Sequence, residues 1–403
     1  MAITSSGTLM DTLRQHGLLG AEHLAQLPNL APGRCGDARS LAKVMIQRGW
    51  LSVYQVNELL SGRADQLVIG PYLVLERLGQ GGLSAVYKAK HREHGNLVAV
   101  KIIKPEVFAS PEGRQQFLQE IEAMARLDHA NVVQFCDADE WKNTFYFAME
   151  YVEGTDLGKV VRLSGALPVA EASDYIRQAA LGLQHAYERN LIHRDIKPVN
   201  LFLTHISEGP RSKPLSVGKT TMCMKPLIKI LDWGLACMKA PKGQTSEIAE
   251  QGILGTADYL SPEQARNAGA ADIRSDIYSL GCSLYFLLTG QPPFPDGTLM
   301  QKLLQHQQSE PIPIECFRED VPATLTAVLK RMTAKKPEDR YQTPASLAVA
   351  LMPFTRRPGT GSGTTLPTLR AIQTRLPRDD TPIPPSLTER IITTGDTVLP
   401  EDA

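Results

Sequence analysis

The chain has 403 residues, more than one ordinary compact core accommodates, so two folded units with unstructured ends are expected. Apolar residues make up 42% and charged residues 21%, which excludes wholesale disorder and a fibrous repeat. Lys plus Arg and Asp plus Glu each number 43, so no net field draws in nucleic acid or an anionic membrane, and partner choice falls to local sites.

The six cysteines, Cys35, Cys136, Cys223, Cys237, Cys282 and Cys316, form no CxxC pair and no regular spacing. Neither a zinc site nor a disulfide framework is indicated, and reduced thiols in a cytosolic compartment are the expectation. The apolar run around Leu280 to Leu288 is too short to span a bilayer. The start, MAITSSGTLMDTLRQHG, lacks a basic segment followed by an apolar one, so an intracellular, cytoplasmic protein is expected.

From Thr8 to Leu60 apolar residues recur at helical spacing between Gly and Pro punctuation, predicting three or four short helices in a module over 1–65. Ser52 is placed to cap the last of them, and Tyr54, Leu59 and Leu60 are spaced to line one face. A packed cap is the plain reading; a site for a protein partner is the alternative. Near Gly70 the pattern changes: YLVLERLG, AVYKAKH, LVAVKII and FYFAMEYV carry strand signatures, with one helical segment, FLQEIEAMARL, between them. Beyond Leu157 the chain is mainly helical, notably over Val169 to Glu188, Ile277 to Leu288 and Thr324 to Met332. The polar stretch His205 to Pro226 reads as a surface loop, and the Pro- and Thr-rich tail over 353–403 as disordered.

The chemistry begins with Gly79, Gly81 and Gly82 between two strands, where backbone amides can approach phosphate oxygens. A glycine cluster alone is weak evidence. Ser84 stands where a third glycine is common, and it is small enough for close approach. Lys101 follows in VAVK at the end of a strand, with Glu120 on the next helix as its partner and Glu122 as the rival. The most informative run is HRDIKPVN: Asp195 can accept a proton from a hydroxyl, Lys197 can neutralise a phosphoryl group, and Asn200 offers oxygen to a hard metal ion. Asp232 lies 32 residues beyond Asn200 in KILDWG, a second carboxylate for Mg²⁺. Polar clusters in loops often only cap turns, but four spaced residues suited to four jobs outweigh that reading.

Taken in order, these segments resemble the protein kinase superfamily, and within it the eukaryotic-like serine/threonine kinases of bacteria, over about Tyr72 to Leu351. The resemblance implies an α+β, bilobal kinase fold over 70–352, with a five-stranded antiparallel N-lobe sheet plus one helix and a mainly helical C-lobe. It implies ATP and Mg²⁺ as cofactors and protein Ser/Thr hydroxyls as acceptors. Leu78, Gly79, Gln80, Gly81, Gly82, Leu83 and Ser84 would cover the nucleotide, and Lys101, paired with Glu120, would hold its α and β phosphates. Val86, Ala99 and Phe202 would sandwich the adenine, Met149 would stand behind it, and the backbone of Glu150 to Val152 would hydrogen-bond its edge. Asp195 with Lys197 would serve catalysis, and Asn200 and Asp232 would bind the metal.

The same resemblance stacks Met124, Phe135, His193 and Trp233 as a spine, with Trp233 replacing the usual Phe. It pairs Glu263 with Arg340, sets Asp276 to brace the catalytic loop, and puts Ser261 where Ala is common. The activation segment would end at GTADYLSPEQ, with Thr256 near the catalytic aspartate. Lys197 after Asp195, with the GT at Gly255, favours Ser/Thr over Tyr as acceptor. Arg194 beside Asp195 suggests control by loop phosphorylation, with Thr245 and Ser246 as the sites. The expected function is a signalling Ser/Thr kinase; the alternative is a pseudokinase scaffold, disfavoured because Lys101, Asp195, Asn200 and Asp232 are all present.

Overall fold

A computed structural model describes residues 3–30, 37–81, 84–104, 119–142, 144–207, 224–233, 257–267 and 270–356. They cluster into two compact units. The first comprises the described residues up to Leu78 together with Tyr87–Asn96, and the second comprises Gly79–Val86 and the described residues from Leu97 onward.

The first unit opens with four helices: α1 (Ser6–His16), α2 (Ala21–Leu30), α3 (Ala38–Gln47) and α4 (Val53–Leu60). Side-chain oxygens start three of them, because the first turn of a helix has N–H groups with no helical partner. Ser5 accepts from the Thr8 N–H at 3.1 Å, Asp37 from Ser40 at 2.6 Å, and Ser52 from Gln55 at 3.1 Å. At Ser52 the expected cap is a full capping box, since Gln55 Oε1 accepts the Ser52 N–H in return. α1 stops at Gly17, whose φ of 58° is left-handed backbone that favours glycine.

Leu9, Leu13, Leu41, Met45, Val56 and Leu59 form the helical core. The inward face of α4 is thus Val56 and Leu59, while Tyr54 and Leu60 are half-buried. A two-residue strand β1 (Val68–Ile69) pairs antiparallel with β2 (Tyr72–Gln80). α4 is fastened to β2 by side chains: Gln55 Nε2 donates to the Val74 carbonyl at 2.7 Å, and Ser52 Oγ donates to the Leu75 carbonyl. Arg92 adds a bond from Nη2 to the His16 carbonyl at 3.0 Å, at the end of α1.

The pair of β1 with β2 adds a strand to the five implied by the resemblance. After β3 (Ser84–His91), the second unit holds β4 (Leu97–Ile103), β5 (Phe135–Trp141) and β6 (Thr144–Glu150). β6 pairs with β4 from Val98↔Glu150 to Ile103↔Phe145, which sets Ala99 opposite Met149 and Lys101 opposite Phe147. β5 pairs along the other edge of β6 and bulges between Phe135 and Asp137. Helical turns occupy 119–124.

The helical part comprises α5 (Leu157–Ser164), α6 (Val169–Tyr187), α7 (Pro262–Arg266), α8 (Ile273–Thr289), α9 (Leu299–Gln308), α10 (Ala323–Met332) and α11 (Pro344–Leu351). Buried residues surround almost the whole of α8, the signature of a central helix. Gly281 keeps it thin: a Cβ there would lie 2.7 Å from Thr333 Cγ2 and 2.9 Å from Met332 Cβ. A small sheet in the order β7 (Thr155–Asp156), β8 (Leu201–Ser207), β9 (Met224–Ile230) carries the site loops.

The ends of His205 to Pro226 are not loop, as the composition suggested. His205 pairs with Pro226, Ile206 with Lys225 and Ser207 with Met224. β9 is an edge strand, where Pro226 is tolerated because its missing N–H breaks no central ladder. Residues 208–223, the tail from 357 onward, Thr245, Ser246, Gly255, Thr256, Gly82, Leu83, Cys35, Cys223 and Cys237 lie outside the described residues. Among the described residues no helix is long and apolar enough to cross a membrane.

Gln55 is 2% exposed and Val74 0%, so removing the amide strands a buried carbonyl. Gln55→Leu is expected to destabilise the protein by about 1–3 kcal/mol. Urea unfolding of the full chain measures it, and an unchanged midpoint would contradict the docking role of α4.

Candidate active site

The loop between α6 and β8 holds a non-glycine residue in left-handed backbone: Arg194 has φ 65°. Such a conformation costs about 1–3 kcal/mol and persists only where the surroundings hold it. Asp276 on α8 supplies part of that hold, accepting the His193 N–H at 2.8 Å and the Arg194 N–H at 2.7 Å. Asp276 is 1% exposed, and burial pushes its carboxyl up to about 6 against the opposing pull of His193 and the two N–H groups. The expected brace from a central helix is therefore a pair of backbone hydrogen bonds.

Within the loop, Lys197 Nζ lies 3.0 and 3.3 Å from the two carboxylate oxygens of Asp195. Asn200 Nδ2 donates to the Asp195 carbonyl at 2.8 Å, which leaves the Asn200 amide oxygen as a hard acceptor. The Asn200 carbonyl in turn accepts the Leu231 N–H at 2.9 Å, tying the loop to the residue before Asp232. Asp232 is also left-handed, with φ 60°. Lys101 Nζ, reaching in from β4, donates to Asp232 Oδ1 at 2.8 Å. Burial raises the Asp232 carboxyl, but Lys101, His193 and Lys197 outweigh it and the net direction is downward, towards the ionised form.

Lys101 is 4% exposed, and Asp232 is a partner that the sequence reading had not given it. Of the two glutamates weighed for Lys101, Glu120 is half-buried and Glu122 exposed, so the helical turns at 119–124 direct Glu120 inward. His193 and Trp233 rings lie 4.9 Å apart at 66°, and Trp233 Nε1 donates to the Ile230 carbonyl at 3.2 Å. The larger aromatic is thus accommodated with its one polar atom satisfied. Met124, Leu127, Phe135, Phe147, Met149 and Trp233 line one small pocket.

Met149 and Ala99 are buried, while Val86, Glu150, Val152 and Phe202 are half-buried. Leu78, Gly79, Gln80 and Gly81 are exposed, and the Gly81 N–H donates to the Ser84 carbonyl at 2.8 Å. A Cβ at Gly79 would meet nothing within 4 Å. Glu150 is clamped by contacts that the sequence reading missed. Its N–H donates to the Gln134 carbonyl at 2.9 Å, and its Oε1 accepts both the Gln134 N–H at 2.8 Å and the Lys229 ammonium.

Glu263 and Arg340 meet as a fork, with Nη1–Oε1 2.7 Å and Nη2–Oε2 2.8 Å. Arg340 is 0% exposed and also donates to the Ala334, Arg274 and Lys335 carbonyls, so the buried guanidinium is well satisfied. Burial raises the Glu263 carboxyl, yet Arg340 and the Ser275 hydroxyl bring it down to about 2. Ser261 caps α7 in a second capping box with Gln264, and Gln264 Nε2 reaches the Arg194 carbonyl at 2.9 Å. The Ser-x-x-Gln spacing signals that cap in the sequence, but nothing local signals the contact with Arg194.

With this geometry in view, the comparisons agree on a family. The profile described as "Protein kinase domain" matches residues 72–351. Serine/threonine-protein kinase PknB of Mycobacterium leprae is 34% identical over 279 residues, covering 68% of this chain and 41% of that protein. A probable serine/threonine-protein kinase of Clostridium acetobutylicum is 35% identical over 271 residues, covering 67% of this chain and 38% of that protein. The crystal structure of the Mycobacterium tuberculosis PknI kinase domain superposes with TM-score 0.53 at 28% identity, covering 71% of this chain and 97% of that one. This chain belongs to the protein kinase family, in the company of bacterial serine/threonine kinases of the eukaryotic-like kind. It spans about two fifths of the length of the curated relatives it matches.

Because the Glu263 carboxyl is held at about 2 against an ordinary 4.5, its contribution to stability is complete above about pH 4.5 and is lost as the pH falls towards 2. Glu263→Gln is expected to flatten the pH dependence of unfolding in that window. Arg340→Met, which leaves a buried carboxylate without its guanidinium, is expected to cost about 3–5 kcal/mol at pH 7. Denaturant midpoints across pH 3–7 check both, and an acid limb unchanged in Glu263→Gln would refute the first.

Proposed function

We propose that this chain is an active protein kinase that transfers the γ-phosphoryl group of ATP to Ser/Thr hydroxyls of protein substrates in cytoplasmic signal transduction. The observation that supports it most is the hydrogen-bonded set joining Lys101 to Asp232 and Lys197 and Asn200 to Asp195. Five residues of three types, suited to phosphate, metal and proton, are thereby linked in two hydrogen-bonded groups.

In this reading Asp195 orients the acceptor hydroxyl and takes up its proton as the oxygen attacks phosphorus. Lys197, already on both Asp195 oxygens, would offset charge on the phosphoryl group in flight. Asn200 through its free amide oxygen and Asp232 through its ionised carboxylate would hold Mg²⁺, an oxygen-only donor set that suits this hard ion. Magnesium, when bound, neutralises phosphate oxygens. Lys101 would then exchange part of its contact with Asp232 for the α and β phosphates, with Glu120 as its second anchor. Leu78 to Ser84 would lie over those phosphates through backbone amides. Val86, Ala99 and Phe202 would enclose the base, beside Met149 and the backbone of Glu150 and Val152.

Residues 70–352 carry catalysis in this proposal, and the helical module over 1–65 is available to a protein partner. The thiols of Cys136, Cys282 and Cys316, which are not in disulfides, suit a reducing compartment.

Asp195→Asn is expected to lower phosphoryl transfer by about 10²–10⁴-fold. Incubating wild type and variant with Mg-ATP and a mixture of protein substrates, then mapping phosphosites by mass spectrometry, tests the reading. Phosphoserine and phosphothreonine in the wild-type reaction alone are the expected result. Equal turnover by both proteins, or phosphotyrosine as the product, would overturn it.

A further inference from the structure

Gln264 lies outside the machinery assigned above, on the short helix α7, with its side chain divided between two tasks. Its Oε1 accepts the Ser261 N–H at 3.2 Å and the Ser261 hydroxyl at 2.9 Å. An amide oxygen serving two donors fixes which way the group faces, so the NH₂ must point the other way. There Nε2 donates to the Arg194 carbonyl at 2.9 Å. Ser261 is 0% exposed, so the pivot of this arrangement is buried.

The consequence follows from the rigidity of peptide planes. Only φ and ψ are soft at any residue, and each is set once the two flanking planes are held. The plane before the Arg194 Cα is held by Asp276, which accepts the Arg194 N–H at 2.7 Å. The plane after it belongs to the Arg194–Asp195 peptide, and Gln264 holds the carbonyl of that peptide. Asp276 therefore grips one side of a left-handed residue, and Gln264 grips the other together with His193, whose Nδ1 accepts the Asp195 N–H at 3.2 Å. Together they set the direction in which the next residue, Asp195, projects its carboxylate.

We propose that Gln264 is a positioning residue for Asp195, completing a two-sided clamp on Arg194 and coupling the end of the activation segment to the proton-accepting carboxylate. The segment that carries it is itself anchored. Ser279 Oγ donates to the Tyr259 carbonyl at 2.7 Å, and Lys302 pairs with Asp258. A displacement of residues 258–264 is thus transmitted to the Arg194 carbonyl through a single side chain. A plain capping role for Gln264 needs only its oxygen and its N–H, and leaves the bond to Arg194 without a purpose.

The proposal rests on the kinase reading, and one variant separates the two roles. Gln264→Glu keeps an oxygen for the Ser261 N–H, which is what a capping box requires, but sets a carboxylate oxygen against the Arg194 carbonyl. Gln264→Met, neutral and close in shape, removes the donor without adding charge. Both are expected to lower kcat by about ten- to hundredfold, the scale for a misplaced reacting group. The Kd for Mg-ADP and the KM for ATP should stay near wild type. Amides at 193–196 should exchange hydrogen faster in both variants, and the melting temperature should fall less in Gln264→Met, which adds no charge, than in Gln264→Glu.

Wild-type kcat in both variants, or a kcat loss in Gln264→Met matched by an equal loss of Mg-ADP affinity, would overturn the clamp. If the wild type itself transfers no phosphoryl group, the kinase reading fails and the exchange measurement still decides the clamp. Unchanged protection at 193–196 in both variants then refutes it.

Discussion

The site depends on one constraint: a buried carboxylate must hold two backbone N–H groups of a strained loop. Asp276 does this from α8, the helix most completely surrounded by protein. Burial raises its carboxyl from 3.8 to about 6, so keeping it ionised at neutral pH costs about 3 kcal/mol. That cost is absent below pH 3.8, builds up as pH rises from there to about 6, and is constant above it. The fold tolerates it because the loop it fixes carries Asp195, Lys197 and Asn200. A neutral side chain there would pack more cheaply but grip the loop less firmly.

The same helix organises the polar contacts around it. Ser275 joins the Glu263–Arg340 fork, Ser279 holds the Tyr259 carbonyl, and Tyr278 meets buried His306 with 2.8 Å between hydroxyl and Nδ1. These are side chains of one central helix that reach different segments, so Asp276 does not act alone. Rigidity at the site comes from α8 serving as a common anchor. In the other unit, α4 works in a comparable way on a smaller scale, where Gln55 and Ser52 bind the carbonyls of successive residues on β2.

Much of this was legible because the signals are local. The strands at Tyr72–Gln80 and Leu97–Ile103, the helix Val169–Tyr187, and the cap at Ser52 follow from period and spacing. The HRDIKPVN run and the later Asp232 stood out by residue type and spacing, and hydrogen bonds tie the two segments together. What escaped depends on pairings across the sequence. The Lys101–Asp232 contact joins residues 131 apart, Glu150–Lys229 joins residues 79 apart, and Gln264–Arg194 joins residues 70 apart. No window of sequence contains both members of any such pair. The strand ends at His205 and Pro226 escaped for a different reason, because their composition argues for a loop while an edge position permits them.

Those strand ends bear on how the protein can diversify. β8 and β9 are paired continuously from Leu201↔Ile230 out to Ser207↔Met224, so the spacing between Asn200 and Asp232 in the folded molecule is set by the ladder and not by the chain beyond it. Closing a longer connection costs little, about 0.6 kcal/mol for each doubling of length. Sequence spliced in beyond the Ser207↔Met224 pair, a sensor or a tether, would therefore leave the relative placement of Asn200 and Asp232 as it is.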